Sequence, residues 1–217
     1  MNLNLSASLN IFKLLAKPSL CLPHSTIATF DDLPIPLERA FAQDGKDRQV
    51  HIKAVVLDKD DCFTWPERSE IYGPYKKDRF EALRAAYPGR RLLIVSNTAG
   101  AKSYDVDGNL ASEVERSTGV AVLTHRVKKP GCGDEIMSYF RGHPETGVTG
   151  PHHIAVVGDR LATDMMLANM MGSWGIWVKD GVVPLDEKSI FSRLERRIAP
   201  YLLSRGLSAP EPVSPFE

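Results

Sequence analysis

The sequence predicts an α/β fold in which helices cover a mainly parallel sheet. Two observations favour this fold. Short apolar runs rich in Val and Ile alternate with amphipathic stretches of helical period along residues 51–180. Such alternation implies right-handed crossovers, which place successive strands parallel. Polar clusters follow the runs directly, as expected where parallel strands carry a site at their carboxyl ends.

The elements follow from these runs. Strands are predicted at residues 52–57, 92–95, 120–123, 154–157 and 175–178, because each run is short and bounded by polar or Gly residues. Helices are predicted at residues 75–87, 134–140 and 163–171, and a last helix at residues 190–203. We divide the chain into an N-terminal arm (residues 1–50), an α/β domain (51–206) and a Pro-rich, disordered tail (207–217).

Composition excludes several classes of protein. The chain has 27 basic and 27 acidic residues, whereas a general nucleic-acid binder usually has a net basic domain. Its three cysteines are far apart, which favours a reducing compartment over a disulfide framework. No apolar run approaches the roughly 20 residues of a membrane-spanning helix, so any membrane contact is expected at the surface.

Two carboxylates follow the first strand. Asp58 and Asp60 are one residue apart, so one can bind a cation and attack phosphorus while the other exchanges a proton with the leaving or attacking oxygen. A solvated acidic turn is the alternative interpretation of this pair.

Polar groups also follow the next two strands. Ser96, Asn97 and Thr98 can hydrogen-bond phosphate oxygens, although for this cluster taken by itself an ordinary helix N-cap is the better interpretation. Lys129, after Lys128, can neutralise phosphate and keep a neighbouring Asp ionised, and the alternative is a basic surface turn.

The fourth cluster follows a strand that ends at Gly158. Asp159 is a candidate cation ligand opposite the first carboxylates, and Asp164 is either a partner behind it or a helix cap. A turn residue is the alternative for Asp159. Each cluster alone is weak evidence for a catalytic site. Four such clusters in this order, each directly after a predicted strand, are hard to obtain by chance.

This order resembles the haloacid dehalogenase (HAD) superfamily over roughly residues 51–180. The resemblance implies a Rossmannoid three-layer sandwich and a phosphatase that forms an aspartyl-phosphate on Asp58, with Asp60 as general acid and base. It implies catalytic roles for Ser96 and Lys129. It implies Mg²⁺ bound by Asp58, Asp159 and the backbone carbonyl of Asp60. Cys62 departs from the family pattern, which often has Thr there.

The segments at residues 62–95 and 99–127 are too short for a separate cap domain, so the site is expected to be open. An open site suits a phosphate presented on something large, such as a lipid, a protein or a nucleic acid. The arm favours the lipid, because Leu5, Leu9, Phe12 and Ala16 recur at helical spacing near Lys13 and Lys17. Two alternatives are a helix packed on the core and a mitochondrial presequence.

Segments 15–23, 30–36, 58–60, 96–100 and 158–164 look like the mitochondrial phosphatidylglycerophosphatase family. That resemblance implies hydrolysis of phosphatidylglycerophosphate to phosphatidylglycerol for cardiolipin synthesis. It also implies a peripheral location on the matrix side of the inner membrane. Asn97 and Thr98 are then candidates for binding the substrate, and the cations of Lys59, Arg126, Lys128 and Arg160 are candidates for its phosphodiester. The alternatives are a phosphatase for protein or nucleic-acid phosphoesters and a non-catalytic membrane-bound module.

Overall fold

A computed structural model describes residues 16–42 and 50–212. Its six strands are β1 (Ser25–Ile27), β2 (Ala54–Leu57), β3 (Leu92–Ile94), β4 (Ala121–Val122), β5 (Ile154–Gly158) and β6 (Trp174–Val178). They form one parallel sheet in the order β1-β6-β5-β2-β3-β4. All five predicted strands are present, and the predicted α/β class is confirmed.

Besides short 3-10 helices, five helices among the described residues connect or follow the strands. They are α1 (Gly73–Tyr75, Lys76–Phe80 and Glu81–Ala86 in succession), α2 (Asn109–Thr118), α3 (Gly133–Arg141), α4 (Leu161–Met165 followed by Met166–Met171) and α5 (Ile190–Ser204). Helix α2 was not predicted from the sequence, because its residues are mainly polar and only one face of the helix is buried. Ser189 caps α5, since its Oγ accepts a hydrogen bond from the N–H of Ser192 at 3.1 Å.

Both faces of the sheet are covered. Along β2, Val55 and Leu57 pack into one apolar cluster, whereas Ala54 and Val56 pack into a second cluster on the opposite face. Side chains of α1 and α2 belong to the first cluster, and side chains of α3 and α4 belong to the second. Because both faces are buried, the central strands read as continuous apolar runs.

The folded domain begins before the predicted boundary at residue 51. Strand β1 pairs with β6 at the sheet edge, and Phe30, Leu33 and Leu37 behind it are fully buried. The sequence pattern misses β1 because it has three residues, of which only Ile27 is buried. The predicted amphipathic helix, from Leu5 onwards, falls almost entirely outside the described residues.

Residues 207–212, at the start of the predicted tail, contact the α/β domain. The N–H of Leu207 donates to Leu202 O, and a hydrogen bond of 2.9 Å joins His24 Nε2 to Pro210 O. Ala209 packs against an apolar cluster that includes Leu22 and Trp177. These contacts tie the tail to the edge of the sheet at β1 and β6.

None of the helices in residues 16–42 and 50–212 combines the length and the apolar character that crossing a bilayer requires.

Candidate active site

The four predicted polar clusters follow strands whose carboxyl ends share one edge of the sheet. Asp58 follows β2, and Asp159 follows β5, which neighbours β2. Ser96 follows β3 on the other side of β2, and Lys129 lies beyond β4. The N–H of Asp58 donates to Val157 O at 2.8 Å and fixes its backbone beside β5. Parallel pairing thus brings residues distant in sequence to one place.

Three buried carboxylates and one lysine form the centre of this site. An oxygen from each of Asp58, Asp159 and Asp164 lies within 4.8 Å of the others. Lys129 Nζ donates to Asp58 Oδ1 and to Asp164 Oδ1, each at 2.6 Å. One lysine therefore serves two of the acids, and the third, Asp159, lies beside them without that contact.

Burial and neighbouring charge shift the pKa values in this cluster. Burial raises the pKa of Asp159 well above its ordinary value, and the charges of Asp58 and Asp164 raise it further. Burial and Asp58 raise the pKa of Asp164 to about 6, although Lys129 opposes them. Burial alone would lower the pKa of Lys129, but the charges of Asp164 and Asp58 outweigh burial and raise it. An added cation would relieve the excess negative charge.

Asp159 has the features of a ligand for a hard cation. Its Oδ1 is buried and has no hydrogen-bond partner among the described residues, which is rare for a polar atom. Its Oδ2 lies 3.9 Å from Nε of Arg160. Oxygen donors alone suit Mg²⁺ or a similar divalent ion, so the residues present fit such a cation.

The carboxylate of Asp60 lies outside this cluster. Its Oδ2 accepts hydrogen bonds from the hydroxyls of Thr98 at 2.8 Å and Ser96 at 3.2 Å. Its Oδ1 accepts from Lys59 Nζ and from the N–H of Glu67. Burial would raise the pKa of Asp60, but the charge and hydrogen bond of Lys59, with the hydrogen bonds from the Thr98 hydroxyl and the Glu67 backbone N–H, lower it overall. Asp60 is thus held in its ionised form.

Lys59 does not reach the substrate side of the site, contrary to its predicted role in binding the phosphodiester. Its side chain is fully buried, and its Nζ donates to Asp60 Oδ1 and to Arg68 O. The ammonium group is therefore placed to lower the pKa of Asp60 and to hold its carboxylate in position. Sequence spacing could not show this, because it does not tell on which side of the loop a side chain points.

The other predicted cations occupy different places. Arg160 lines the pocket in front of Asp58, and half of its side chain is exposed. Arg126 and Lys128 are not among the residues that line this pocket, and Lys128 Nζ lies 5.8 Å from the ring centroid of Tyr104. Of the three, the structure thus brings only Arg160 to the pocket.

Asn97 fixes the backbone that carries Lys129. Its Oδ1 accepts a hydrogen bond from the N–H of Lys129 at 2.8 Å, and its Nδ2 donates to Lys129 O at 3.4 Å. His125 Nε2 is hydrogen-bonded to Ser96 O at 2.9 Å, which joins the same two loops. Asn97 and Thr98 both line the pocket. Both residues therefore lie where the predicted contact with a substrate would be made.

The pocket has a volume of about 390 Å³ and a wall that sequence reasoning missed. Val183, Glu187, Lys188, Ser189 and Ser192, between β6 and the first turn of α5, form this wall. The segment has no apolar run and no recognisable motif, so no sequence signal pointed to it.

Asp61 holds this wall against the loop that follows β2. Its Oδ1 accepts hydrogen bonds from the N–H groups of Val182 at 2.9 Å and Val183 at 2.7 Å, and its Oδ2 pairs with Lys188. Gly181 permits the close approach, because a Cβ there would lie 2.2 Å from Asp61 O. The third acid of the Asp58–Asp61 run is therefore structural, a role that the run itself does not reveal.

Comparisons with known proteins point to one family. A family model described as mitochondrial PGP phosphatase matches residues 5–183. The chain is 47% identical over 180 residues to the mitochondrial phosphatidylglycerophosphatase of Saccharomyces cerevisiae, a match that covers 83% of this chain and 89% of the yeast protein.

Two further relatives agree with this match. A probable mitochondrial phosphatidylglycerophosphatase of Schizosaccharomyces pombe is 33% identical, over 76% of this chain and 77% of its own length. The chloroplastic and mitochondrial phosphatidylglycerophosphate phosphatase 1 of Arabidopsis thaliana is 35% identical, over 71% of this chain and 42% of its own length.

Proposed function

The chain belongs to the mitochondrial PGP phosphatase family, and from this premise we propose that it hydrolyses phosphatidylglycerophosphate to phosphatidylglycerol and phosphate. The observation that carries the proposal is the buried cluster of Asp58, Asp159, Asp164 and Lys129, of which Asp58 and Lys129 line the pocket. The product would supply cardiolipin synthesis. The mitochondrial relatives support a place in the mitochondrion. Within it, the proposal assigns the chain to the matrix side of the inner membrane, with an anionic bilayer as the partner surface and no nucleic acid.

Asp58 is the proposed nucleophile. Lys129 holds its Oδ1, and attack through the other oxygen would form the aspartyl-phosphate while the bond from phosphorus to the glycerol oxygen breaks. Lys129 also offsets charge on the phosphoryl oxygens. Asp164 acts through Lys129, because its Oδ1 accepts the second hydrogen bond of that ammonium group.

Asp60 is the proposed general acid and base. It would give its proton to the leaving glycerol oxygen and then take one from the water that hydrolyses the aspartyl-phosphate. The lowered pKa in the substrate-free protein suits the second step. The first step needs a protonated Asp60, and an arriving phosphate dianion would raise its pKa by like-charge repulsion.

Asp58 and Asp159 are the proposed carboxylate ligands of Mg²⁺, together with the backbone carbonyl of Asp60. When bound, the cation supplies charge neutralisation at the phosphoryl oxygens. The buried Oδ1 of Asp159, which lacks a partner among the described residues, supports this assignment.

We expect Mg²⁺ to raise the melting temperature of the protein, and to raise it more as pH increases from about 4 to above 6. An acid with a raised folded-state pKa favours folding below its unfolded pKa of about 3.9. That contribution is lost as pH rises through the folded-state pKa, which is about 6 for Asp164. Mg²⁺ neutralises the carboxylates once they are ionised. At a concentration 100 times its Kd, this binding would raise the free energy of unfolding by about 2.7 kcal/mol.

Thermal unfolding at several pH values, with Mg²⁺ or with EDTA, measures this effect. The Asp159→Asn variant is the control and should lose most of the Mg²⁺-dependent rise. A rise of equal size at every pH, or one that persists in the variant, would contradict the proposed cation site.

Phosphate release from three substrates tests the proposed function. We expect kcat/KM for phosphatidylglycerophosphate in detergent micelles to exceed the values for a phosphopeptide and a 5′-phosphorylated oligonucleotide by about 100-fold or more, a difference of about 2.7 kcal/mol. Comparable rates on the phosphopeptide would overturn the lipid assignment and leave the phosphatase chemistry in place.

A further inference from the structure

Helix α5 carries an exposed apolar stripe on its outer side. Ile190, Leu194 and Tyr201 are exposed and, with Arg197, recur at i, i+4, i+7 and i+11, which places all four on one face of the helix. We call these four residues the outer stripe of α5. Ile190 is 75% exposed, and Phe191 beside it is 77% exposed. Apolar side chains grouped in this way mark an interaction surface.

The opposite face of α5 packs on the protein. Ser192 and Ala199 are buried there, and Glu195 Oε1 accepts a hydrogen bond from the N–H of Ala162 at 2.9 Å. Ser189 and Ser192 also line the pocket in front of Asp58. The outer stripe thus begins at Ile190, between the wall residues Ser189 and Ser192, on the side of the helix that faces solvent.

The exposed charges of α5 are all positive. Arg193 and Arg197 are exposed, and so is Arg205, which comes directly after the helix and whose guanidinium lies 5.2 Å from the ring centroid of Tyr201. Glu195 is the acid of the helix, and it is half-buried. A helix with arginines and large apolar residues on its free face is typical of one that lies in the headgroup region of an anionic bilayer.

From these observations we propose that the outer stripe of α5 docks on an anionic lipid bilayer and holds the pocket mouth at the headgroup level. This inference rests on the proposed lipid substrate. A second copy of the chain fits the stripe less well, because pairing two stripes about a two-fold axis would bring their arginines together. Exposed apolar side chains on the loops after β2 and β4, Trp65 and Val127, lie at the same edge of the sheet as the pocket.

Sedimentation of the full chain with vesicles tests the proposal, using phosphatidylcholine with and without phosphatidylglycerol. We expect the Ile190→Ser/Leu194→Ser variant to bind the anionic vesicles about tenfold less tightly or worse, since two aliphatic side chains no longer enter the bilayer. Hydrolysis of phosphatidylglycerophosphate in those vesicles should fall in parallel. Hydrolysis of a small soluble phosphomonoester should stay within about twofold of the wild type.

Leu203→Ser is the matched control. Leu203 is an exposed leucine of the same helix that lies away from the stripe, so its variant should bind vesicles as the wild type does. Arg193→Glu/Arg197→Glu should abolish the preference for anionic vesicles.

Several results would overturn the docking surface. These are unchanged vesicle binding by the stripe variant, an equal loss in the Leu203 control, and a change of oligomeric state by light scattering with vesicle binding intact. Loss of binding on deleting residues 1–20, with none in the stripe variant, would assign docking to the arm instead. Failure of the proposed function is distinct, because the wild type would then bind vesicles without releasing phosphate from micellar phosphatidylglycerophosphate.

Discussion

Replacing Asp58 with Asn is expected to lower kcat for phosphatidylglycerophosphate by about 10⁴-fold or more, as losses of catalytic nucleophiles do. An amide cannot form the acyl-phosphate, so the two-step route is closed. The fold should persist, because the change also removes one of three crowded carboxylates while Lys129 keeps its bond to Asp164. Steady-state kinetics together with circular dichroism would measure both effects.

Asp60→Asn is the matched control for this experiment. It should also lose turnover, but with an aryl phosphate, whose leaving group needs no proton, it should still form the phosphoenzyme and then hydrolyse it slowly. Acid-quenched labelling should therefore detect phosphate on the Asp60→Asn protein and none on the Asp58→Asn protein. Turnover by Asp58→Asn within a few-fold of the wild type would refute the nucleophile.

Replacing Lys129 with Met is expected to lower the free energy of unfolding by about 3–5 kcal/mol, besides removing activity. Removing one partner of a buried ion pair leaves uncompensated charge in a low-dielectric interior. Here the substitution would leave three carboxylates without their lysine counter-ion, those of Asp58, Asp159 and Asp164, whose oxygens lie within 4.8 Å of one another. Urea unfolding above pH 6 in the presence of EDTA would measure the loss.

A second substitution separates charge from packing. Lys129→Met/Asp164→Asn should recover part of the lost stability, because the Asn removes one of the repelling charges. The double variant should nevertheless remain inactive. A loss below about 1 kcal/mol for Lys129→Met alone would mean that the lysine does little to balance the cluster.

The sheet was predictable because its central strands are buried on both faces and so appear as apolar runs. Strand β1 was not predictable, because it buries only Ile27 and joins the sheet through its pairing with β6. Asp58, Lys129 and Asp159 could be placed together because strand ends of a parallel sheet share one edge. Lys59 could not be placed, because adjacent residues of a loop can point in opposite directions and only packing decides between them.

The pocket wall shows a second limit. Asp61 and Lys188 are 127 positions apart, and neither lies in a pattern that would suggest their pairing. Their contact depends on how the segment after β6 crosses the loop that follows β2, which is a matter of tertiary geometry.

The contacts of Asp61 with Val182, Val183 and Lys188 indicate how much of the chain must be present for this domain to fold with its pocket intact. The family match ends at residue 183, but a fragment cut there would leave the Asp61 carboxylate without its Lys188 counter-ion, in a place from which water is largely excluded. It would also remove one wall of the pocket in front of Asp58. Residues 184–212 are therefore part of the folded unit that forms this pocket, and their removal is expected to loosen the loop that carries Asp58.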